Sequence, residues 1–461
     1  MRILLYNWTP LQHPKVGGGV AVYMQNILQY LTMHQNNDVD IVFLSSGFYY
    51  DSANKEIYIR KEKEFLSVEN YTIVNSPVIA PLGYASSSLE RATKDTKLKD
   101  VLDKFIQEHG LFDVIHFHSF EGISTNVLQL KKKYPGIRFI HSTHDYGILC
   151  PNVRLWNNKN ENCLTSQCKY QCNTCVSNTA PFLIHVVSLA KQRSYEYHVS
   201  PVTWFWVRVL KYLKKISYRY FRIPNSIYSN YRATNVANIN RYSDGEICVS
   251  KRVAEILKTN GVAPEKIIVD YIGTKVAEVA KYKCRNNPHS TYFTILYMGY
   301  AVIEKGFFAY LHSLEQISAE DAKCINLKFA TRISDVNIKK RLEALNEKFN
   351  SVQIIDGYTH DDFPQILDQV NLGVVPPLWE DNLPQVSIEM VANGIPVITT
   401  LNGGAQELNE HAAFKCTDDL SEKIINIKNN RYLLEEYWSS ANQLTTMEKH
   451  IQNLLAIWKN S

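Results

Sequence analysis

The sequence predicts an α/β protein made of two parallel-sheet domains. Three observations lead there. Short apolar runs alternate with segments of helical period in both halves of the chain. The alternation breaks once, at the polar stretch "KYKCRNNPHST" near residues 281–291, which reads as a linker. And 461 residues exceed what one compact core usually holds.

In the first half, "RILLYNW" is a strand, "GGGV" a turn and "AVYMQNILQYLTMH" a helix with apolar residues at helical spacing. "VDIVFLSS" follows as a strand. "DVIHFHS" and "RFIHSTHD" are short apolar runs ending in polar residues, as buried parallel strands do. "GEICVS", the helix "KRVAEILKTNG" and the strand "KIIVDYIG" close this half. After the linker the order restarts with "YFTILYMGY", "INLKFATR", "VQIIDGY" and "LGVVPP", separated by helices. The expected division is a first domain over 1–280, a second over 290–440, and a final helix over 441–461 that packs back on the first. Residues 150–240 stand outside the alternation as an insertion. Two Rossmann-like domains facing one another would bind a ligand in the crevice beyond the carboxyl ends of their strands.

Composition excludes little. Apolar content of 45% and charged content of 21% are those of a globular chain, and the net charge is +5. The start "MRILLYNWTP" reads as a strand, not a signal peptide. No window reaches ~18 uncharged apolar residues, so no spanning helix is expected. The cytoplasm is the expected compartment, where the nine cysteines would stay reduced unless they hold metal.

The chemistry concentrates in "PPLWEDNLPQVSIEMVANGIPVITTLNGGAQEL", residues 376–408. After the strand "LGVVPP", Asp381 and Asn382 stand where a helix N-cap would be, with Pro384 in the first turn. "QVSIEMVAN" is then a helix stopped by Gly394, and "PVITT" the next strand. Two helix N-termini at one sheet edge offer amides to a diphosphate, and Gly403 and Gly404 clear side chains from the backbone there. A carboxylate beside phosphate would be repelled by it. Asp381 and Glu389 therefore suit the hydroxyls of a ribose or hexose. The plainer reading makes Asp381 a helix cap and Glu389 part of a solvated face.

"DNLPQVSIEMVANGIPVITTLNGG" resembles the nucleotide-binding segment of retaining glycosyltransferases of the GT-B fold, specifically glycosyltransferase family 4. The shared pattern is two acids separated by seven residues, then an xGxPV strand and a GG turn. The resemblance implies that Asp381 binds hydroxyls of the donor sugar and Glu389 the ribose, with Asn382 and Leu383 in the same binding turn. Asp381 stands where the family usually has glutamate, and Glu380 beside it could supply the missing reach. "LYMGYAVIEKGF" resembles the family's strand, glycine and basic loop, with Gly299 and with Lys305 on the donor diphosphate. The arginine usual after that glycine is replaced by Tyr300, for which Arg332 is a candidate substitute. "GGGVAVYM" resembles the glycine loop near the reacting phosphate, carried by Gly18 and Gly19. "FIHSTHDYGILCP" resembles the strand whose terminal histidine, here His144, reaches the donor sugar. His116, His118 and His141 cluster with it near strand ends, and each alone is more often a hydrogen-bonded histidine than a catalyst.

The resemblance implies metal-independent transfer with retention, from a nucleotide-sugar donor (UDP-, GDP- or ADP-linked) to a saccharide or lipid-linked saccharide. Catalysis would rest on His144, Asp381 and Lys305, and no Asp-x-Asp stands in a context that holds a cation for phosphate. The usual employment of such enzymes is surface polysaccharide: capsule, O-antigen, lipopolysaccharide or exopolysaccharide.

Within the insertion, Cys163, Cys168, Cys172 and Cys175 run C-x4-C-x3-C-x2-C, with Cys150 upstream. Four thiolates so close can enclose a structural zinc; the alternatives are reduced thiols, disulfides or an iron–sulfur cluster. "SPVTWFWVRVLKYLKKISYRYFRIP" then interleaves aromatic and basic side chains, and Glu196 is the only acid between 181 and 240. This suits a helix on anionic lipid through 201–223, making the protein peripheral on the inner face of the plasma membrane, or a helix packed on the first domain. Nucleic acid ranks lower, since no known binding motif accompanies the charge. Two other functions stay open: a nucleotide-sugar epimerase or hydrolase of the same fold, and a zinc-bearing nucleic-acid-binding module without activity.

Overall fold

The computed structural model describes residues 1–12, 18–34, 39–51, 53–80, 86–164, 172–175, 205, 209, 225–333, 335–359, 362–416 and 420–459. The chain folds into two compact units. One comprises residues 1–249, 253–270 and 451–461; the other comprises 250–252 and 271–450.

The first unit is built on an eight-stranded sheet. Its strands are β1 (Arg2–Tyr6), β2 (Asp40–Ser46), β3 (Tyr58–Lys61), β4 (Glu69–Val74), β5 (Val114–Phe117), β6 (Arg138–Thr143), β7 (Gly245–Cys248) and β8 (Ile267–Val269). They lie in the order β3-β4-β2-β1-β5-β6-β7-β8. Central β1 pairs with β2 and β5 in parallel, and Ile3, Leu4 and Leu5 are fully buried. Burial on both faces explains why β1, β2, β5 and β6 read as continuous apolar runs. The edge strand β3 runs antiparallel to β4. Neither was read from the sequence, because "YIRK" and "ENYTIV" lack the continuous apolar character of the central strands.

The helix Gly19–Met33 buries Tyr23, Met24, Ile27, Leu28 and Leu31, one face at helical spacing. A second helix, Asn225–Tyr242, falls inside the stretch read as an insertion, yet it is integral to this unit. Its buried face mixes Tyr228, Tyr231, Ile239 and Tyr242 with Asn235 and Asn238. Asn235 accepts from Thr125 Oγ1 at 2.8 Å and donates to the Ile148 carbonyl, Asn238 donates to Thr125 and Asn126, and Tyr231 donates to the Gly147 carbonyl at 2.6 Å. Asparagines set among the apolar positions weaken the hydrophobic period, which is why periodicity missed it. The basic stretch 201–223 lies outside the described residues apart from Phe205 and Val209.

The second unit has six parallel strands: β9 (Phe293–Met298), β10 (Ile325–Thr331), β11 (Ser351–Asp356), β12 (Leu372–Val375), β13 (Val397–Thr400) and β14 (Lys415–Cys416). Their order is β11-β10-β9-β12-β13-β14. The chain therefore crosses over between β11 and β12, and β12 lies directly between β9 and β13, with Val374 level with Tyr297 and Ile398. Adjacent strands are about 4.8 Å apart. Loops leaving β9, β12 and β13 at their carboxyl ends must consequently meet. No helix among the described residues is long and apolar enough to cross a membrane.

Candidate functional site

The loops after β9, β12 and β13 lock together by close backbone contact. The amides of Leu378 and Trp379 both donate to the Glu304 carbonyl, at 2.9 and 3.2 Å. That anchor brings Lys305 Nζ within 2.5 Å of Asp381 Oδ2, across 76 residues of sequence. The ammonium also lies 5.1 Å from the Trp379 ring centroid. Asp381 is 6% exposed and Glu389 8% exposed, so neither is a solvated surface acid. Burial and the neighbouring Glu389 together raise the phenol pKa of Tyr358.

Several details differ from expectation. Asp381 and Asn382 do not cap the helix Gln385–Ala392; Pro384 occupies the N-cap position with extended backbone. The loop needs Asp381 elsewhere, because its carbonyl accepts the Gly404 amide at 2.8 Å. Glu380 is not a spare acid for sugar hydroxyls. It is 1% exposed, takes a bidentate ion pair from Arg252 (Nε 2.9 Å, Nη2 2.6 Å) and accepts the Gly403 amide at 2.7 Å. The amides of Gly403 and Gly404 are thus already used inside the protein and are not open to an anion.

Those two glycines answer to packing. Gly403 has φ +75°, and a Cβ there would stand 2.0 Å from the Asp381 carbonyl oxygen; at Gly404 it would stand 2.2 Å from that of Asn382. Glu407, three residues on, accepts the amides of Lys251 (2.9 Å) and Arg252 (2.7 Å) and the Tyr271 hydroxyl (2.5 Å). Arg252 and Glu407 went unnoticed in the sequence. The GG turn followed by an acid was their only local signal.

Around Asp381 lies a group of buried polar atoms without partners among the described residues: Trp379 Nε1, both Oδ1 and Nδ2 of Asn382, and Ser387 Oγ. Leu383 beside them is buried. Gly299 ends β9 with φ +144°, Tyr300 after it is 61% exposed, and Arg332 after β10 is exposed.

In the first unit, Gly18 is the N-cap of the helix that Gly19 begins. Its backbone is extended, and a Cβ there would meet no atom of the described residues within 4 Å. The histidines at the ends of β5 and β6 do come together. His118 Nδ1 lies 3.0 Å from His144 Nε2, and the Tyr23 ring packs 4.8 Å from that of His144. His141 is apart from this pair in function: its Nδ1 is 2.6 Å from Glu246 Oε1, in a fully buried contact. Cys163, Cys172 and Cys175 are described, whereas Cys168 lies outside the described residues. Among the described residues no group of three His, Cys, Asp or Glu could hold a metal ion.

With this geometry in place, comparison with known proteins places the second unit. Residues 280–444 match the family Glycosyl transferases group 1. This group 1 domain contains Gly299, Lys305, Asp381, Asn382, Leu383, Glu389, Gly403 and Gly404. No curated protein matches the chain. Solved structures do. HepE of Anabaena, in complex with UDP-glucose, has 14% identity and a TM-score of 0.53, covering 99% of this chain and 98% of that one. A UDP-forming trehalose-phosphate synthase from Burkholderia xenovorans has 12% identity and a TM-score of 0.58, with coverage of 100% and 98%. Sucrose-phosphate synthase from Thermosynechococcus elongatus has 14% identity and a TM-score of 0.55, with coverage of 99% and 96%. At these identities the likeness is one of fold: a two-domain α/β architecture with parallel sheets, the GT-B type.

Proposed function

We propose that the protein is a retaining, metal-independent glycosyltransferase that moves a sugar from a nucleotide-diphosphate donor to a saccharide or lipid-linked saccharide. The observation that carries this reading is the Lys305–Asp381 pair set beside Asn382, whose buried amide atoms have no partner among the described residues. More than about nine in ten buried polar groups in native proteins are satisfied, so such a group points to a bound ligand. The group 1 domain and the UDP-glucose complex of HepE support a nucleotide sugar as that ligand.

Lys305 takes the donor diphosphate, which offers it more negative charge than the single carboxylate of Asp381. Released from that pair, Asp381 accepts hydrogen bonds from the donor sugar, and Glu389 from the ribose. His144 is assigned to the sugar and Gly18 to the phosphate, since a Cβ at Gly18 would meet no described atom within 4 Å. In the reaction the bond between the anomeric carbon and the phosphate oxygen breaks through an oxocarbenium-like state. The acceptor oxygen attacks from the same face, and its proton passes to the departing phosphate. Lys305 stabilises the charge developing on that leaving group in a site shielded from water.

The deciding experiment is a screen for protection against thermal unfolding. A donor present at 100 times its Kd stabilises by about 2.7 kcal/mol. One of UDP-, GDP- or ADP-glucose is expected to raise the Tm, and no response to any nucleotide sugar would remove the proposal. We further assign the product to surface polysaccharide, by resemblance to the family's usual employment. The basic, aromatic sequence 201–223 suits contact with anionic lipid at the inner face of the plasma membrane, where a lipid-linked acceptor would be carried. The protein is then expected to float with anionic but not neutral liposomes; equal absence from both fractions would rule that contact out.

A further inference from the structure

The histidines at the ends of β5 and β6 extend inward from His144 to a residue near the chain terminus. Trp458, in the helix Met447–Lys459, is 2% exposed, and its indole Nε1 lies 3.2 Å from Nδ1 of fully buried His116. The two rings meet edge-on at 76°. An indole N–H can only donate, so Nδ1 of His116 accepts. A neutral imidazole then carries its hydrogen on Nε2, which lies 2.8 Å from Ser142 Oγ. The His116 ring is 4.1 Å from that of His118, and His118 Nδ1 is 3.0 Å from His144 Nε2.

We propose that Trp458 is a positioning residue that holds His116 in its uncharged Nε2–H form, so that proton uptake in this row falls on the His118–His144 pair. Protonation of His116 would set two N–H groups against each other and leave a buried indole hydrogen without its acceptor, a loss that opposes the charged form. His118 and His144 instead face nitrogen to nitrogen; as neutral rings they hold one hydrogen between them and one on the acceptor ring's other nitrogen, and the pair stays bonded when a third proton joins the donor ring's other nitrogen. His144 therefore meets a substrate with Nε2 already committed and its ring orientation set. Several titratable groups stand near the row among the described residues. Tyr23 packs on both rings from the helix Gly19–Met33, and burial keeps its phenol protonated. Asp270, after β8, acts on Tyr23; Asp145 follows His144; and His141 is bonded to Glu246 of β7.

The tautomer claim stands apart from the transfer reading, and only its consequence for activity rests on that reading. Long-range proton–nitrogen correlation spectra of the full chain, labelled with nitrogen-15 in histidine, test it directly. His116 is expected to show the neutral Nε2–H pattern from pH 8 down to pH 5. In Trp458→Phe its protonation midpoint is expected to rise by at least about one pH unit, towards the ordinary value near 6.5. An Nδ1–H or charged His116 in the wild type at pH 6 overturns the proposal without recourse to the variant, and so does an unchanged titration in a folded Trp458→Phe. In transfer assays the acid limb of kcat/KM should move in Trp458→Phe; a stationary limb overturns the positioning role. Complete absence of transfer in the wild type would count against the transfer reading and leave the spectra to decide the tautomer.

Discussion

Lys305→Ala is expected to lower glycosyl transfer at least about 100-fold, with most of the loss in kcat. The estimate follows from removing one preorganised cation aimed at charge that develops on a leaving group, a change that costs roughly 2.7–4 kcal/mol of transition-state stabilisation. A second effect adds to it. Asp381 is 9% exposed at its side chain and would lose the Lys305 ammonium that lies 2.5 Å from its carboxylate. The double variant Lys305→Ala/Asp381→Asn separates the two contributions. Removal of the orphaned carboxylate should restore donor binding towards the wild-type level while the rate stays low, because the leaving group still lacks its cation. Wild-type turnover in a folded Lys305→Ala protein would defeat the assignment of Lys305, and with it the core of the proposed chemistry.

Arg252→Met should destabilise the protein by about 3 kcal/mol, the lower end of what breaking a buried ion pair costs. For a unit of this size that corresponds to a fall in Tm on the order of 10 °C. The cause is the partner left behind. Glu380 is 2% exposed at its side chain and would lose both guanidinium bonds while keeping the Gly403 amide. Arg252 itself is 28% exposed at its side chain, which is why the lower figure is used. Arg252→Met/Glu380→Gln should recover much of the loss, since the uncompensated charge is gone, and the two residues are close enough for strong coupling. A melting temperature equal to the wild type in Arg252→Met would mean that Glu380 does not depend on this pair. Loss of Tm without recovery in the double variant would point to packing by the guanidinium stem.

Much of the fold was legible because its central strands are buried on both faces. β1, β2, β5 and β6 in one unit and β9, β10, β12 and β13 in the other appear as short apolar runs between helical periods, and the acids and the lysine of the candidate site follow them at recognisable spacing. What escaped notice is polar inside. The helix Asn225–Tyr242 is seated partly by Asn235 and Asn238, which interrupt the apolar face of Tyr228, Tyr231, Ile239 and Tyr242. The glycines of the GG turn were readable as glycines, yet the reason for them was not. They make room for the carbonyls of Asp381 and Asn382, a contact between loops about twenty residues apart.

The chain's own order of residues thus determined which elements form and which chemical groups end the strands: a lysine after β9, an aspartate after β12, a histidine after β6. Tertiary structure alone decided how those groups are used. Placing β12 beside β9 brings Lys305 to Asp381, while Glu380, next to it in the same loop, pairs with Arg252. The adjacent carboxylates meet different cations across a tight turn, in which the Asp381 amide donates to the Trp379 carbonyl at 2.8 Å.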